Sequence, residues 1–103
     1  MRIQLLSDLH LETEAFDPTP APDAELLVLA GDVDSGWGGL QKFRGWPVPV
    51  LYVPGNHEYD QRDFDAARAG LLALSADLGF TMLDDAATVI ADAEGRRVRF
   101  LGT

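Results

Sequence analysis

The 103-residue chain lacks cysteine entirely, has only two histidines, and is poor in basic residues and in long apolar runs. The absence of cysteine excludes disulfide bridges, thiolate metal sites and a cysteine nucleophile. With 8 basic against 17 acidic residues, the formal net charge is −9, which disfavours binding along a duplex nucleic-acid backbone. No segment reaches the roughly 20 apolar residues of a membrane span, and the N terminus lacks a signal-peptide cleavage site. We therefore expect a cytoplasmic protein of a single domain.

Three short apolar runs dominate the first half of the chain, at residues 3–6, 26–30 and 48–53. Such runs are typical of strands that are covered on both faces in a parallel sheet, so we expect the sheet to be largely interior. Three prolines between residues 12 and 25 predict an extended connection after the first strand. Four glycines between residues 36 and 45 predict a loop with a short helical turn.

One amphipathic helix is predicted from about Asp63 to Leu78, because apolar residues recur there at steps of three and four. Asp60 or Asp63 is expected to cap its start, and Gly79 suits the left-handed conformation just beyond its end. The rest of the chain predicts three more strands, the last two joined by a turn. These strands are expected at residues 80–83, 88–91 and 98–101.

The first predicted strand is followed by Asp8 and His10. Residues two apart on an extended segment point to the same side, so these two side chains can bind one cation together. Asp-x-His alone is weakly specific, and a structural interpretation stays open in which Asp8 caps a turn and His10 packs against the sheet.

The second predicted strand is followed by Gly31 and Asp32. Glycine allows a sharp backbone turn, which would direct the Asp32 carboxylate across the strand ends, where it can bridge two ions. A common structural turn without a ligand is the alternative for this segment.

The third predicted strand ends in Pro54 and Gly55 and is followed by Asn56, His57 and Glu58. A plain turn requires glycine but has no need of the imidazole and carboxylate that come next. The amide oxygen of Asn56 suits a hard cation, and His57 can donate or accept a proton near neutral pH. Glu58 can orient His57 or another ligand from behind, or it can simply help to start the following helix.

All three segments occur in order, D-x-H, then G-D, then G-N-H-E, each at a predicted strand end. In this combination the chain resembles the calcineurin-like metallophosphoesterases, whose opening motifs have the same form. The resemblance implies an α/β fold, the N-terminal part of an α/β/β/α sandwich with a mixed sheet and flanking helices. It also implies a hydrolase that cleaves phosphate mono- or diesters of small-molecule or other phosphorylated substrates.

The resemblance implies that two divalent metal ions, such as manganese, iron or zinc, activate water for attack on phosphorus; the donor set does not select among these metals. His57 would donate a proton to the leaving oxygen or steady the phosphoryl group, and Glu58 would support the ligands from behind. Four residues would bind the ions: Asp8 and His10 the first, Asp32 both, and Asn56 the second.

One part of the family pattern is missing from the sequence. Family members add histidines from later strand ends, commonly in Gly-His-x-His, and no histidine follows His57 here. The second ion would keep only Asp32 and Asn56 as protein ligands. We therefore expect residues 1–103 to be the N-terminal part of one phosphoesterase domain, truncated after Thr103 and weakly active or inactive alone. The alternatives are a non-catalytic fragment that binds metal weakly or a partner subunit, and a short form that pairs as a homo-oligomer.

Other aromatic and basic residues near the motifs have ordinary interpretations. We interpret Trp37 and Trp46 as packing anchors of the glycine-rich loop. Arg44 and Arg62 are chemically able to bind phosphate, but they lie outside the motifs and are interpreted as surface charges.

Overall fold

The computed structural model describes all residues from 1 to 103 and consists of a parallel sheet, one flanking α-helix and a separate β-hairpin. Helix α1 (Phe64–Leu78) connects the third strand of the sheet to the fourth, and the hairpin pairs β5 (Ala86–Ala91) with β6 (Arg97–Gly102). The predicted α/β class is confirmed, with antiparallel pairing confined to the hairpin. The four parallel strands lie in the spatial order β1 (Ile3–Leu6), β2 (Leu26–Ala30), β3 (Val50–Val53) and β4 (Phe80–Met82).

Helix α1 begins and ends close to the predicted residues. The side chain of Asp63 accepts a hydrogen bond from the backbone N–H of Ala66 at 3.0 Å, so Asp63 is the capping residue. Gly79 follows the helix with φ of 82°, the left-handed region that glycine adopts without a Cβ penalty. Asp60 does not cap the helix, because its carboxylate contacts the ring of His57 instead.

One face of the sheet carries the main hydrophobic core. Helix α1 packs Leu71 and Leu78 onto this face, and the loop after β2 closes its side. Burial of each large apolar side chain stabilises the fold by about 1.5–3 kcal/mol, so this layer fixes the positions of the central strands. The core contains 11 buried residues: Leu27, Leu29, Val33, Leu40, Phe43, Val50, Tyr52, Leu71, Leu78, Phe80 and Met82.

The opposite face of the sheet is covered in part by the hairpin. Leu26 and Leu51 form a small buried cluster with Leu83, and Ile90 and Phe100 of the hairpin pack against it. The hairpin therefore shields the centre of this face.

Strand β1 departs from the prediction of a largely interior sheet. Ile3 and Leu5 lie on the hairpin side of the sheet, in register with Leu26 and Val28, yet they are 46% and 63% exposed. The reason is position: β1 is an edge strand that pairs only with β2, and the hairpin does not extend over it. An apolar run alone does not distinguish a central strand from an edge strand.

The loops that follow β2 and β3 each contain a 3₁₀ helix, at Gly38–Phe43 and Asn56–Tyr59. The first of these corresponds to the predicted helical turn. Strand β3 begins at Val50 and not at residue 48, because Pro49 has no N–H for the ladder, although its carbonyl still accepts from the N–H of Leu27 at 3.0 Å.

The last two strands run longer than predicted, at residues 86–91 and 97–102, around the predicted turn. Helix α1, the longest helix with 15 residues, is shorter than the roughly 20 residues that a membrane crossing requires, and no helix of the structure qualifies as membrane-spanning.

Candidate metal centre

The three motif segments meet at one edge of the sheet because β1, β2 and β3 are parallel and each segment follows the carboxyl end of its strand. Three backbone hydrogen bonds hold the chain after β1 beside the chain after β2, and one of them runs from the N–H of Leu11 to the carbonyl of Val33 at 2.8 Å. The N–H of Asp8 donates to the carbonyl of Gly31 and the N–H of His10 donates to the carbonyl of Asp32, both at 3.0 Å. These bonds bring the first two motifs together.

Asp8, His10 and Asp32 all have a left-handed backbone conformation, with φ of 56°, 48° and 52°. A non-glycine residue pays roughly 1–2 kcal/mol for this conformation, although aspartate tolerates it better than most. The expected extended segment after β1 is therefore absent. The two ligand candidates of the first motif converge for a different reason, which is that their backbones bond to the neighbouring loop.

Two glycines allow the loops after β2 and β3 to approach each other. Gly31 has φ of 83°, as its predicted sharp turn requires, and a Cβ there would lie 3.0 Å from the Cα of Gly55. A Cβ on Gly55 would lie 2.2 Å from Oδ1 of Asp32 and 2.5 Å from its backbone nitrogen. Any side chain at either position would push Asp32 away from the G-N-H-E segment.

Asp8, His10 and Asp32 form a group whose ligand atoms all lie within 4.8 Å of one another. Neither carboxylate of the group is paired with an arginine or lysine. The side chain of Ser7 donates to the Asp8 carboxylate. Two carboxylates and an imidazole are a donor set that divalent transition metals accept.

Asn56 and His57 lie against the same carboxylate. A half turn of the Asn56 carboxamide would place its nitrogen 3.3 Å from both carboxylate oxygens of Asp32, where it can donate to them. The backbone N–H of His57 donates to Oδ1 of Asp32 at 3.0 Å. Asp32 is thus the residue that all three motifs share.

The two imidazole rings lie edge to face, with their centroids 5.3 Å apart and their planes at 67°. Nδ1 of His10 is 3.0 Å from Oε1 of Glu12, and Nδ1 of His57 is 2.9 Å from Oδ2 of Asp60. The hydrogen bond with Glu12 raises the pKa of His10, and the hydrogen bond with Asp60 raises the pKa of His57. In both rings Nε2 is the nitrogen that remains for another partner.

Glu58 lies beneath the site, and its carboxylate makes no hydrogen bond with the ring of His57. Its side chain is fully buried, and Oε1 accepts from the hydroxyl of Tyr52 and from the backbone N–H of Gly55, both at 3.1 Å. Burial raises the pKa of Glu58. The predicted orienting contact with His57 is made by Asp60, whereas Glu58 supports the turn that presses against Asp32.

Sequence reasoning missed Glu12, Asp60 and Asp34. Asp34 is buried and accepts from the backbone N–H groups of Gly36 and Gly39, at 2.8 and 2.6 Å, so it shapes the loop after β2. A signal for Asp34 exists in its glycines two and five positions later, a spacing that suits an aspartate-stabilised turn. Glu12 and Asp60 have no comparable signal, because an acidic residue near a histidine is common in an acidic chain.

Trp37, Arg62 and Arg44, which lie outside the motifs, make contacts within the chain. The indole of Trp37 donates to the carbonyl of Glu58 at 2.9 Å, and Arg62 stacks on this ring with its guanidinium carbon 4.1 Å from the centroid. Arg44 pairs with Asp77 at 2.7 Å. The packing interpretation of Trp37 agrees with these contacts.

Comparison with known proteins identifies both a family and a fold. The family model for calcineurin-like phosphoesterases matches residues 1–94. The structure is similar to that of a phosphopantetheinyl hydrolase from Mycobacterium tuberculosis, with a TM-score of 0.73 and 22% sequence identity. The match covers 98% of this chain and 41% of that hydrolase. A comparison with curated protein sequences found no match.

Proposed function

Because the chain belongs to the calcineurin-like phosphoesterase family, we propose that it carries the N-terminal metal-binding motifs of a metal-dependent enzyme that hydrolyses phosphate mono- or diesters. The observation that supports this most directly is the convergence of Asp8, His10 and Asp32, without a neutralising lysine or arginine, at the carboxyl ends of parallel strands. An anionic, oxygen-rich group of this kind is suited to a divalent cation.

The donors fit one ion well and a second ion less well. Asp8, His10 and Asp32 would hold the first ion, and Asp32 and Asn56 would hold the second. The Asn56 carboxamide can present either end to Asp32: its oxygen, or, after a half turn, its nitrogen, which would then donate to the carboxylate from 3.3 Å. Two facing oxygens repel each other unless a cation lies between them. Two bound divalent ions would supply Lewis-acid charge at the phosphoryl group and lower the pKa of attacking water.

His57 is assigned to the leaving group. In the reaction, water displaces an alkoxide or aryl oxide at phosphorus, and the imidazolium of His57 gives its Nε2 proton to the departing oxygen. Asp60 holds Nδ1 of the same ring, so Nε2 is the nitrogen available for this transfer. Asp32 also accepts from the backbone of His57, which ties the proposed acid to the proposed metal ligand.

We assign residues 1–103 to the N-terminal part of a longer domain. The chain spans 41% of the hydrolase of similar structure, and a second ion would have only Asp32 and Asn56 as protein ligands. A full second site therefore needs donors from elsewhere. The alternative, a chain that binds metal weakly or binds a partner subunit without catalysis, rests on the same shortage of ligands.

The test is hydrolysis of aryl phosphate mono- and diesters by the Mn²⁺-loaded product of the complete coding sequence, with Asp32→Asn and His57→Ala variants. Loss of His57 should lower turnover by about 10²–10⁴-fold, the usual contribution of a general acid. Asp32→Asn should lower it by at least as much. Asp23→Asn, the same substitution in a loop at the opposite edge of the sheet, serves as the control and should leave turnover unchanged.

Unchanged turnover in both site variants would refute the assigned roles. Metal analysis of the 103-residue chain after dialysis provides an independent check. Retention of two tightly bound ions would contradict the proposed shortage of ligands at the second position.

A further inference from the structure

The two histidines of the chain share an arrangement that the three motifs do not contain. Each ring has its Nδ1 atom within 3.0 Å of a carboxylate from its own loop: Glu12 lies two residues after His10, and Asp60 lies three residues after His57. Neither acid lies in a motif, and they come from loops that follow different strands. A hydrogen bond between a histidine Nδ1 atom and a nearby carboxylate therefore occurs twice at one edge of the sheet.

The chemistry of these contacts determines where the ring proton lies. An ionised carboxylate can only accept a hydrogen bond, so Nδ1 of each ring must be the protonated nitrogen. The neutral ring then has its lone pair on Nε2, and the hydrogen bond at the other nitrogen is what selects this tautomer. The contact also prevents the ring from flipping, because a flip would move Nδ1 away from its acceptor.

Stability does not account for these pairs. The side chains of His57 and Asp60 are 44% and 51% exposed, and those of His10 and Glu12 are 33% and 24% exposed. Ion pairs at such exposure contribute little to the free energy of folding. A role in orienting the rings explains the contacts better than a role in holding the chain together.

We propose that Glu12 and Asp60 are positioning residues that hold His10 and His57 in the Nδ1–H tautomer, so that Nε2 of each ring faces its partner. The inference rests on the proposed function, since it assigns the Nε2 lone pair of neutral His10 to an ion and the Nε2 proton of the His57 imidazolium to the leaving oxygen. The bond from Nδ1–H of His57 to Asp60 is kept in both the neutral and the protonated ring. Outer carboxylates that hold a ligating imidazole typically change metal affinity or activity by 10–100-fold when removed.

The first experiment needs neither metal nor activity. Long-range ¹H–¹⁵N correlation spectra of the metal-free, ¹⁵N-labelled chain, recorded at about pH 9, report the tautomer of a neutral imidazole, whose ordinary pKa is about 6.5. The chain has only two histidines, so His10→Gln and His57→Gln variants assign both rings. We expect the Nδ1–H tautomer in both rings of the unsubstituted chain.

The acidic variants provide a crossed control. Glu12→Ala should shift His10 toward the Nε2–H tautomer and leave His57 unchanged, and Asp60→Ala should do the reverse. Glu12→Gln and Asp60→Asn keep a carbonyl acceptor and should restore the Nδ1–H tautomer. An Nε2–H tautomer in the unsubstituted chain, or no change in either alanine variant, would overturn the proposal.

The second experiment separates the positioning role from the proposed function. In an Mn²⁺ titration followed by water proton relaxation, Glu12→Ala should weaken binding by about 10–100-fold, whereas Asp60→Ala should not change it. In the complete enzyme, Asp60→Ala should lower kcat with KM nearly unchanged. Tautomers that respond as expected in a chain that binds no Mn²⁺ would support the positioning role and count against the proposed function. Equal Mn²⁺ affinity in Glu12→Ala and the unsubstituted chain would overturn the role of Glu12.

Discussion

The two edges of the parallel sheet both carry clusters of acidic residues, and they differ in how those charges are compensated. At the carboxyl ends of the strands, which we term the ligand edge, Asp8, His10, Asp32 and Asn56 converge without any arginine or lysine partner. The opposite end, which we term the ion-pair edge, consists of Arg2, Asp23, Glu25, Asp92, Glu94 and Arg96 and surrounds an open cavity of about 540 Å³.

Each carboxylate of the ion-pair edge has a partner. Arg2 pairs with Asp23 at 3.3 Å, and Arg96 pairs with both Asp92 and Glu94, at 3.0 and 2.9 Å. Glu25 accepts backbone hydrogen bonds from both sides of the cavity. This cavity therefore lies at the edge less suited to a metal ion, because two arginines offset half of the charge of its four carboxylates and the fourth, Glu25, is held by backbone N–H groups.

Backbone conformation does not separate the two edges. Asp23 has φ of 64° at the ion-pair edge, close to the 52° of Asp32 at the ligand edge. The distinguishing features of the ligand edge are uncompensated carboxylates, a close approach of two glycines, and a buried acid beneath them. A candidate metal site is therefore recognised by carboxylates that no arginine or lysine pairs with. Each distinguishing feature can be tested against a matched residue at the other edge.

The largest effect is expected from Gly31→Ala, with Gly95→Ala as its control. Both glycines have φ of 83°, but a Cβ at Gly31 would lie 3.0 Å from the backbone of Gly55, whereas nothing lies within 4 Å at Gly95. The left-handed backbone should cost about 1–2 kcal/mol at both positions. Overpacking should add about 1–3 kcal/mol at Gly31 alone.

Urea denaturation curves for the two variants measure this difference as free energies of unfolding. Gly55→Ala isolates the contact, because Gly55 has an extended backbone with φ of −92° and its Cβ would meet Asp32 at 2.2 Å. If Gly31→Ala and Gly95→Ala were equally destabilising, the close approach of the loops would have no energetic meaning.

A smaller effect is expected from Glu58→Ala, with Glu25→Ala at the ion-pair edge as its control. Both carboxylates accept two hydrogen bonds, but Glu58 is fully buried and the bonds of Glu25 are exposed. Glu58→Ala leaves the N–H of Gly55 and the hydroxyl of Tyr52 without an acceptor, which should destabilise the fold by about 2–4 kcal/mol. Water can replace Glu25, so its loss should cost about 1 kcal/mol.

Glu58→Gln sharpens this second test. Glutamine keeps an acceptor for Tyr52 and Gly55 while removing a buried charge, so most of the stability should return. The measurement is again the free energy of unfolding in urea at neutral pH. A glutamine variant as unstable as the alanine variant would show that the charge itself, and not the pair of hydrogen bonds, supports the turn.

The sequence predicts the positions of the strands and the helix better than it predicts their exposure to solvent. Apolar runs and three- and four-residue periodicity are local signals, and they locate the sheet strands and helix α1 to within about two residues. Exposure is not a local property. Ile3 and Leu5 belong to an apolar run like that of β2, but β1 is the outermost strand of the sheet, which only the spatial order of the strands reveals.

The sequence likewise predicts which residues form the candidate site, but not their detailed geometry. The ordered motifs and the parallel sheet predict that Asp8, His10 and Asp32 meet, because strand ends of a parallel sheet share one edge. The left-handed backbone of Asp8 and His10 depends on hydrogen bonds to residues more than 20 positions later, which no local pattern encodes. Asp60, and not the predicted Glu58, contacts the ring of His57, because the 3₁₀ helix at Asn56–Tyr59 directs the Glu58 side chain into the interior.

The smallest expected effect is also the one that addresses charge compensation directly. Mn²⁺ should raise the melting temperature of the unsubstituted chain, because an ion that binds only the folded state stabilises it by RT ln(1 + [L]/Kd). At ten times Kd this amounts to about 1.4 kcal/mol, or several degrees for a domain of this size. Asp32→Asn keeps the acceptor for the N–H of His57 but removes the shared charge, so the shift should disappear.

Asp23→Asn makes the same substitution at a similar backbone conformation, in a carboxylate that already pairs with Arg2. Its melting temperature should therefore respond to Mn²⁺ as fully as that of the unsubstituted chain. Thermal unfolding followed by circular dichroism over a series of Mn²⁺ concentrations measures both variants. An equal response from Asp32→Asn and Asp23→Asn would mean that Mn²⁺ binds nonspecifically to a chain with a net charge of −9, and not at the ligand edge.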